Sequence, residues 1–229
     1  MAHPFRSLIS CCLIGASCVL GQENARPGLQ IKFTVFSAKP IADLAYALPV
    51  GPTVRTVAVQ FHPTARSPRY DYSGPGPLCF FDLKTDELIA EVKIPSHIKE
   101  ALLIFQPQAP EAAAATPGCR VFVFDDAAIC YGAGQLMVLN FSGLPLAGTL
   151  GRQHIDLNDG ANGPYSIGRG APILLRTTYR QKSYQAYAAT IELGRNGRAL
   201  LILMAPFYRG SLEVQSRLLI EKAPAPSTR

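Results

Sequence analysis

A chain of 229 residues that is 48% hydrophobic and only 17% charged has enough apolar side chain for a packed core, which excludes an intrinsically disordered protein. Nineteen Gly and nineteen Pro are spread along it, which excludes a low-complexity tract and suits many short elements separated by turns. The net charge of +6, from 22 basic and 16 acidic residues, favours anionic neighbours. No polybasic run concentrates that charge, and nucleic acid is not an expected partner.

Residues 1–21 read as a cleavable signal peptide. Arg6 supplies the positive start, residues 7–20 are uncharged and mostly apolar, and Gly21 with Val19 before it offers a cleavage site ahead of Gln22. The apolar run falls short of the roughly 20 residues that span a bilayer, so no transmembrane anchor is expected. Gly15-Ala16-Ser17 ahead of Cys18 allows a lipid anchor at that cysteine. The expected location is periplasmic or secreted. Once the leader leaves, Cys79, Cys119 and Cys130 remain, an odd number. A disulfide between Cys119 and Cys130 with one free thiol is one reading in an oxidising compartment, and three small buried hydrophobes is the other.

From residue 28 onward the chain reads as strands. Leu29, Ile31, Phe33 and Val35 alternate with Gln30, Lys32 and Thr34, which predicts a half-buried strand. VRTVAVQF (54–61) and LIAEVKI (88–94) repeat that period. ALLIF (101–105) and VFVF (121–124) are continuously apolar, which predicts central strands covered on both faces. Residues 67–77, SPRYDYSGPGP, read as a long turn in which Pro68, Pro75 and Pro77 block ladder hydrogen bonds, and residues 107–118, PQAPEAAAATPG, read as a hairpin connection.

The second half follows the same pattern. LMVLNF (136–141), then 146–150, 154–157, 173–179, 184–193, 199–205 and 212–220 are the expected strands. Turns are expected at Ser142-Gly143 and Gly151-Arg152, a loop at DGANGP (159–164) and a two-residue hairpin at Asn196-Gly197. The sum is an all-β, antiparallel β-sandwich protein. A split near Asp125-Asp126 gives modules over 28–125 and 126–222, with one continuous sandwich as the alternative and 223–229 as a disordered tail.

IKFTVFS, SGPGPLCFFD, IAEVKIPSHIKEALLIFQP and CRVFVFDDA, followed by GAGQLMVLNFSGLPLAGTLGRQHIDLNDG, resemble in their order an uncharacterised family of exported bacterial β-sandwich proteins. The resemblance implies two tandem immunoglobulin-like modules and an envelope location, and brings no catalytic residue with it.

Candidate chemistry is sparse. His3, His62, His97 and His154 lack paired spacing, so no metal and no cofactor are expected. Ser166 is not framed as a nucleophile elbow. Asp125 and Asp126 are adjacent and on a strand would face opposite sides, which suits a turn better than a pair of catalytic carboxylates. Asp156, Asn158 and Asp159 lack the spacing of a calcium loop. The densest basic stretch contains Arg169, Arg176, Arg180, Lys182, Arg195 and Arg198, and Tyr165, Tyr179, Tyr184, Tyr187, Phe207 and Tyr208 lie near it. Tyrosine beside arginine suits a recognition surface, and Arg176, Arg180, Lys182, Tyr179 and Tyr184 are its candidate residues for an anion or partner. The expected function is non-catalytic binding of an envelope protein or glycan. A hydrolase with a site assembled from distant strands, or a structural subunit of a surface assembly, are the alternatives.

Overall fold

The computed structural model describes residues 28–39, 41–62, 64–107 and 119–223. The expected signal peptide, with Cys18, and residues 224–229 of the expected tail lie outside them. Every regular element among the described residues is a strand: β1 Leu29–Ser37, β2 Leu44–Val50, β3 Thr53–Ala58, β4 Tyr70–Gly74, β5 Leu78–Asp82, β6 Leu88–Val92, β7 Glu100–Pro107 and β8 Cys119–Asp125, then β9 Gln135–Phe141, β10 Leu146–Leu150, β11 Gln153–Leu157, β12 Gly160–Ser166, β13 Gly170–Tyr179, β14 Lys182–Glu192, β15 Gly197–Met204 and β16 Gln215–Lys222.

These strands form four four-stranded sheets, ordered β3-β2-β5-β6, β4-β1-β7-β8, β12-β9-β15-β16 and β11-β10-β13-β14. Adding eight to each strand of the first half reproduces the second half. The one parallel pair in each half obeys the same rule, β1 with β7 and β9 with β15. A short sequence echo marks the equivalence. Phe36-Ser37-x-x-Pro40 returns as Phe141-Ser142-x-x-Pro145, with Ser37 Oγ donating to Lys39 O at 2.6 Å and Ser142 Oγ accepting from Leu144 N at 3.1 Å.

Period-two alternation explains how the sheets stack. In the first half Ile31, Phe33 and Val35 of β1 and Ala101, Leu103 and Phe105 of β7 face β2, β5 and β6 across one core. In the second, Leu136 and Val138 of β9 and Ala199, Leu201 and Leu203 of β15 face β10, β13 and β14 across another. The intervening residues make a third apolar layer between the halves. Phe36, Leu102, Ile104 and Phe124 meet Met137, Leu139, Leu200 and Ile202 there. The two inner sheets are therefore covered on both faces, as the continuous run ALLIF in the central strand β7 required; VFVF, expected to be central as well, instead lies in β8, the edge strand of its sheet, where only Phe124 is fully buried.

The two cores differ in kind. Phe33, Tyr46, Tyr72, Phe80 and Phe105 are buried in the first, with Phe33 and Tyr46 centroids 5.3 Å apart and Phe80 and Phe105 5.1 Å apart, both edge to face. Burial pushes the Tyr46 phenol up to about 12. Among the described residues the second core buries only Leu, Ile, Val and Ala, with Tyr165 and Tyr187 at its margin.

Several sequence expectations need correction. Residues 67–77 are not a single turn, because they contain β4, and the expected loop at 159–164 belongs largely to β12. Both strands occupy the same position, the edge beside β1 or β9, where proline and glycine are tolerated because one side of the backbone has no ladder partner. β2, LAYALPV, was not expected as a strand, although Leu44, Ala45 and Tyr46 are fully buried. Asn196-Gly197 does turn the chain, with Asn196 at φ 57°, but β14 and β15 lie in different sheets, so the turn crosses the sandwich and closes no hairpin. The first residue of the expected tail is held, Ala223 N donating to Asn196 O at 2.8 Å. The connection 108–118 lies outside the described residues; the strands flanking it, β7 and β8, pair antiparallel.

Candidate functional site

The most buried charges lie where the two halves meet. Arg198, at the start of β15, is only 1% exposed, so it is no part of a basic surface as its place in the Arg-rich stretch suggested. Its Nη2 reaches Asp126 Oδ1 at 3.2 Å and Glu221 Oε1 at 2.7 Å. Arg66 bonds the other Asp126 oxygen, reaches Glu221 Oε1 at 3.1 Å and donates to the Tyr131 hydroxyl at 2.8 Å. The Arg198 guanidinium also lies 4.2 Å from the Tyr131 ring centroid. Burial pulls Arg66 down, but the charges of Asp126, Tyr131 and Glu221 outweigh it and leave its pKa raised. Burial also pushes the Tyr131 phenol far above its ordinary range.

Two cations thus face two carboxylates in a closed, balanced network tying the β8 end, the segment before β9, the β15 start and the β16 end together. Such a network contributes placement more than net stability. The depression beside it, lined by Arg66, Leu219 and Glu221 among others, is about 210 Å³. The Asp125-Asp126 corner is a turn only at Asp125, whose Oδ1 accepts from Ala127 N at 3.1 Å.

The thiols carry no activated chemistry. Cys79, Cys119 and Cys130 are free, so the allowed Cys119–Cys130 disulfide is not formed. Cys119 opens β8 and packs on the first core, whereas Cys130 lies beyond the far end of that strand and packs on the layer between the halves. The strand carries the chain on from Cys119 through six further residues to Asp125, at about 3.3 Å each, far beyond disulfide reach. Burial, with Asp125 beside it, pushes Cys130 up to about 11, the reverse of a nucleophile's environment. No group of three or more His, Cys, Asp or Glu converges among the described residues. A cleft of about 630 Å³ is open and mixes Lys32 and Lys99 with Asp71 and Glu100; Glu100 is already paired with Arg69 at 3.4 Å.

The candidate recognition residues fare differently. Tyr179, Arg180, Lys182 and Tyr184 gather at the tip of the β13–β14 hairpin, where Arg180 and Gln181 form the two-residue turn at φ 47° and 64°. Tyr179 pairs with Lys182 and Thr177 with Tyr184, so Tyr179, Lys182 and Tyr184 share the face that lower down carries the buried Thr177. Arg176, paired with Gln185, leaves the opposite face and does not join them. The Arg180 guanidinium lies 5.2 Å from the Tyr179 ring centroid.

The loop between β15 and β16 arrives at the same end, because β15 runs toward the hairpin tip, and Val214 N donates to Ala186 O of β14 at 3.0 Å. It carries Phe207 and Tyr208, each 73% exposed, stacked edge to face at 4.9 Å, and Arg209 follows them. Tyr179 and Tyr184 are 49% and 41% exposed. These four are the large aromatic side chains left exposed among the described residues, and all belong to the second half. The sequence showed these aromatics as neighbours of basic residues. It missed Arg209, and it could not show that hairpin and loop share one end. No family model matches the chain, and no curated protein matches it.

Proposed function

We propose that this chain is an exported, immunoglobulin-like double sandwich of the cell envelope that works by binding, through the aromatic and basic end of its second sandwich. The observation that carries the reading is the exposure of Phe207 and Tyr208 on the β15–β16 loop, at the end of the second sandwich that also carries the β13–β14 tip. Two rings of this size present roughly 200–300 Å² of mostly apolar surface, so a partner that covered them would gain on the order of 5 kcal/mol before the costs of association. Exposed aromatics flanked by cations are the composition of binding hot spots. The leader-like sequence of residues 1–21 supports the export side of the reading.

The test is co-sedimentation of the mature chain, residues 22–229, with isolated cell envelope of the source organism. Wild type is expected in the pellet, the double variant Phe207→Ala/Tyr208→Ala at least tenfold less so, and Val54→Ser on the first sandwich unchanged. Wild type staying in the supernatant, or the double variant pelleting as wild type does, contradicts the reading.

A further inference from the structure

We infer that the ligand class at this end is an acidic polysaccharide, an inference that rests on the binding reading above. The surface combines two elements that such a polymer uses and that other anions use less well. Flat aromatic faces take the C–H faces of sugar rings, and the cations between them take the carboxylates. Tyr179, Tyr184, Phe207 and Tyr208 supply the faces, and Arg180, Lys182 and Arg209 supply the charge, with Glu213 the one acid of the same loop. Both segments combine rings with cations: two rings flank two cations in Tyr179-Arg180-x-Lys182-x-Tyr184 on the hairpin, and two rings precede a cation in Phe207-Tyr208-Arg209 on the loop. That pattern suits a chain in which a ring and a charge recur together.

The composition argues against the neighbouring chemistries. A bilayer-inserting surface buries an apolar face of Leu, Phe or Trp beside its cations, whereas residues 179–184 hold no aliphatic side chain and three of the four rings carry a hydroxyl. Duplex nucleic acid is held by many phosphate contacts, and three cations against Glu213 fall short of that. The tip is also pre-shaped, since Arg180 and Gln181 hold a two-residue turn and Val214 ties the loop to β14, so little ordering entropy opposes binding.

Affinity electrophoresis of the mature chain through gels containing polygalacturonate tests this, with neutral dextran, phosphatidylglycerol vesicles and duplex DNA as comparison probes. Polygalacturonate is expected to retard the chain and dextran to leave it unretarded. Phe207→Ala/Tyr208→Ala and Arg180→Gln/Lys182→Gln/Arg209→Gln should each weaken retardation at least tenfold while keeping the wild-type circular dichroism, and Val54→Ser should not. The inference falls if polygalacturonate causes no retardation, if the aromatic variant is retarded like wild type, which is simple ion exchange, or if vesicles or DNA bind as tightly. Loss of polygalacturonate binding with intact envelope co-sedimentation overturns the ligand class alone; loss of both overturns the binding reading as well.

Discussion

The two halves of this molecule run the same eight-strand path but place their aromatic residues oppositely. The first half packs Phe33, Tyr46, Tyr72, Phe80 and Phe105 into its core; the second fills its core with aliphatic side chains and leaves Tyr179, Tyr184, Phe207 and Tyr208 in solvent. A second difference follows along one side. β6 packs against β8 in the first half, while the equivalent β14 and β16 stand apart across a groove of about 360 Å³ lined by Gln185, Glu213 and Ser216. Large rings inside add apolar area to a core, whereas rings outside add little to folding. In the proposed reading, one half is the support and the other carries the binding surface.

The contrast can be broken by substitution. The largest effect is expected at the junction: Asp126→Ala leaves two buried guanidiniums to the single carboxylate of Glu221 and should cost about 3–5 kcal/mol, read from the urea unfolding midpoint. In the first core Phe80→Ala should cost about 4 kcal/mol, and in the second Leu201→Ala about 3 kcal/mol, by the same measurement. Phe207→Ala/Tyr208→Ala should stay within about 0.5 kcal/mol of wild type, since these rings lie outside either core. The smallest effect concerns the thiols. Dithiothreitol should leave the melting temperature of the mature chain unchanged, because the described cysteines are free. Iodoacetamide at pH 8 should modify Cys130, with its pKa pushed up to about 11, roughly 100-fold more slowly than an ordinary cysteine.

Much of the fold was legible because alternation is a local signal. Leu29 to Val35 declares a half-buried strand, and ALLIF a strand buried on both sides, whatever lies opposite. Leu103 and Leu102 do enter different layers. β4 and β12 were hidden because an edge strand tolerates the same Gly and Pro that mark a turn, and only the neighbouring β1 or β9 makes them strands. The duplication was equally hidden, since sheet order is conserved between the halves with little residue identity beyond Phe-Ser-x-x-Pro. At the site, Tyr179 to Tyr184 were found as sequence neighbours. That Phe207, Tyr208 and Arg209 lie at the same end depends on β15 running toward the hairpin tip, and the burial of Arg198 depends on Asp126 and Glu221, 72 positions before it and 23 after; neither is written in local composition.

Hydroxyl-radical footprinting of the mature chain, alone and with cell envelope, tests the division of labour most directly. Alone, oxidation is expected to be heavy at Tyr179, Tyr184, Phe207 and Tyr208 and slight at Phe33, Tyr46, Tyr72 and Phe80; with envelope, protection should fall on the first four. Comparable oxidation of both sets, or protection confined to the first half, would contradict the account.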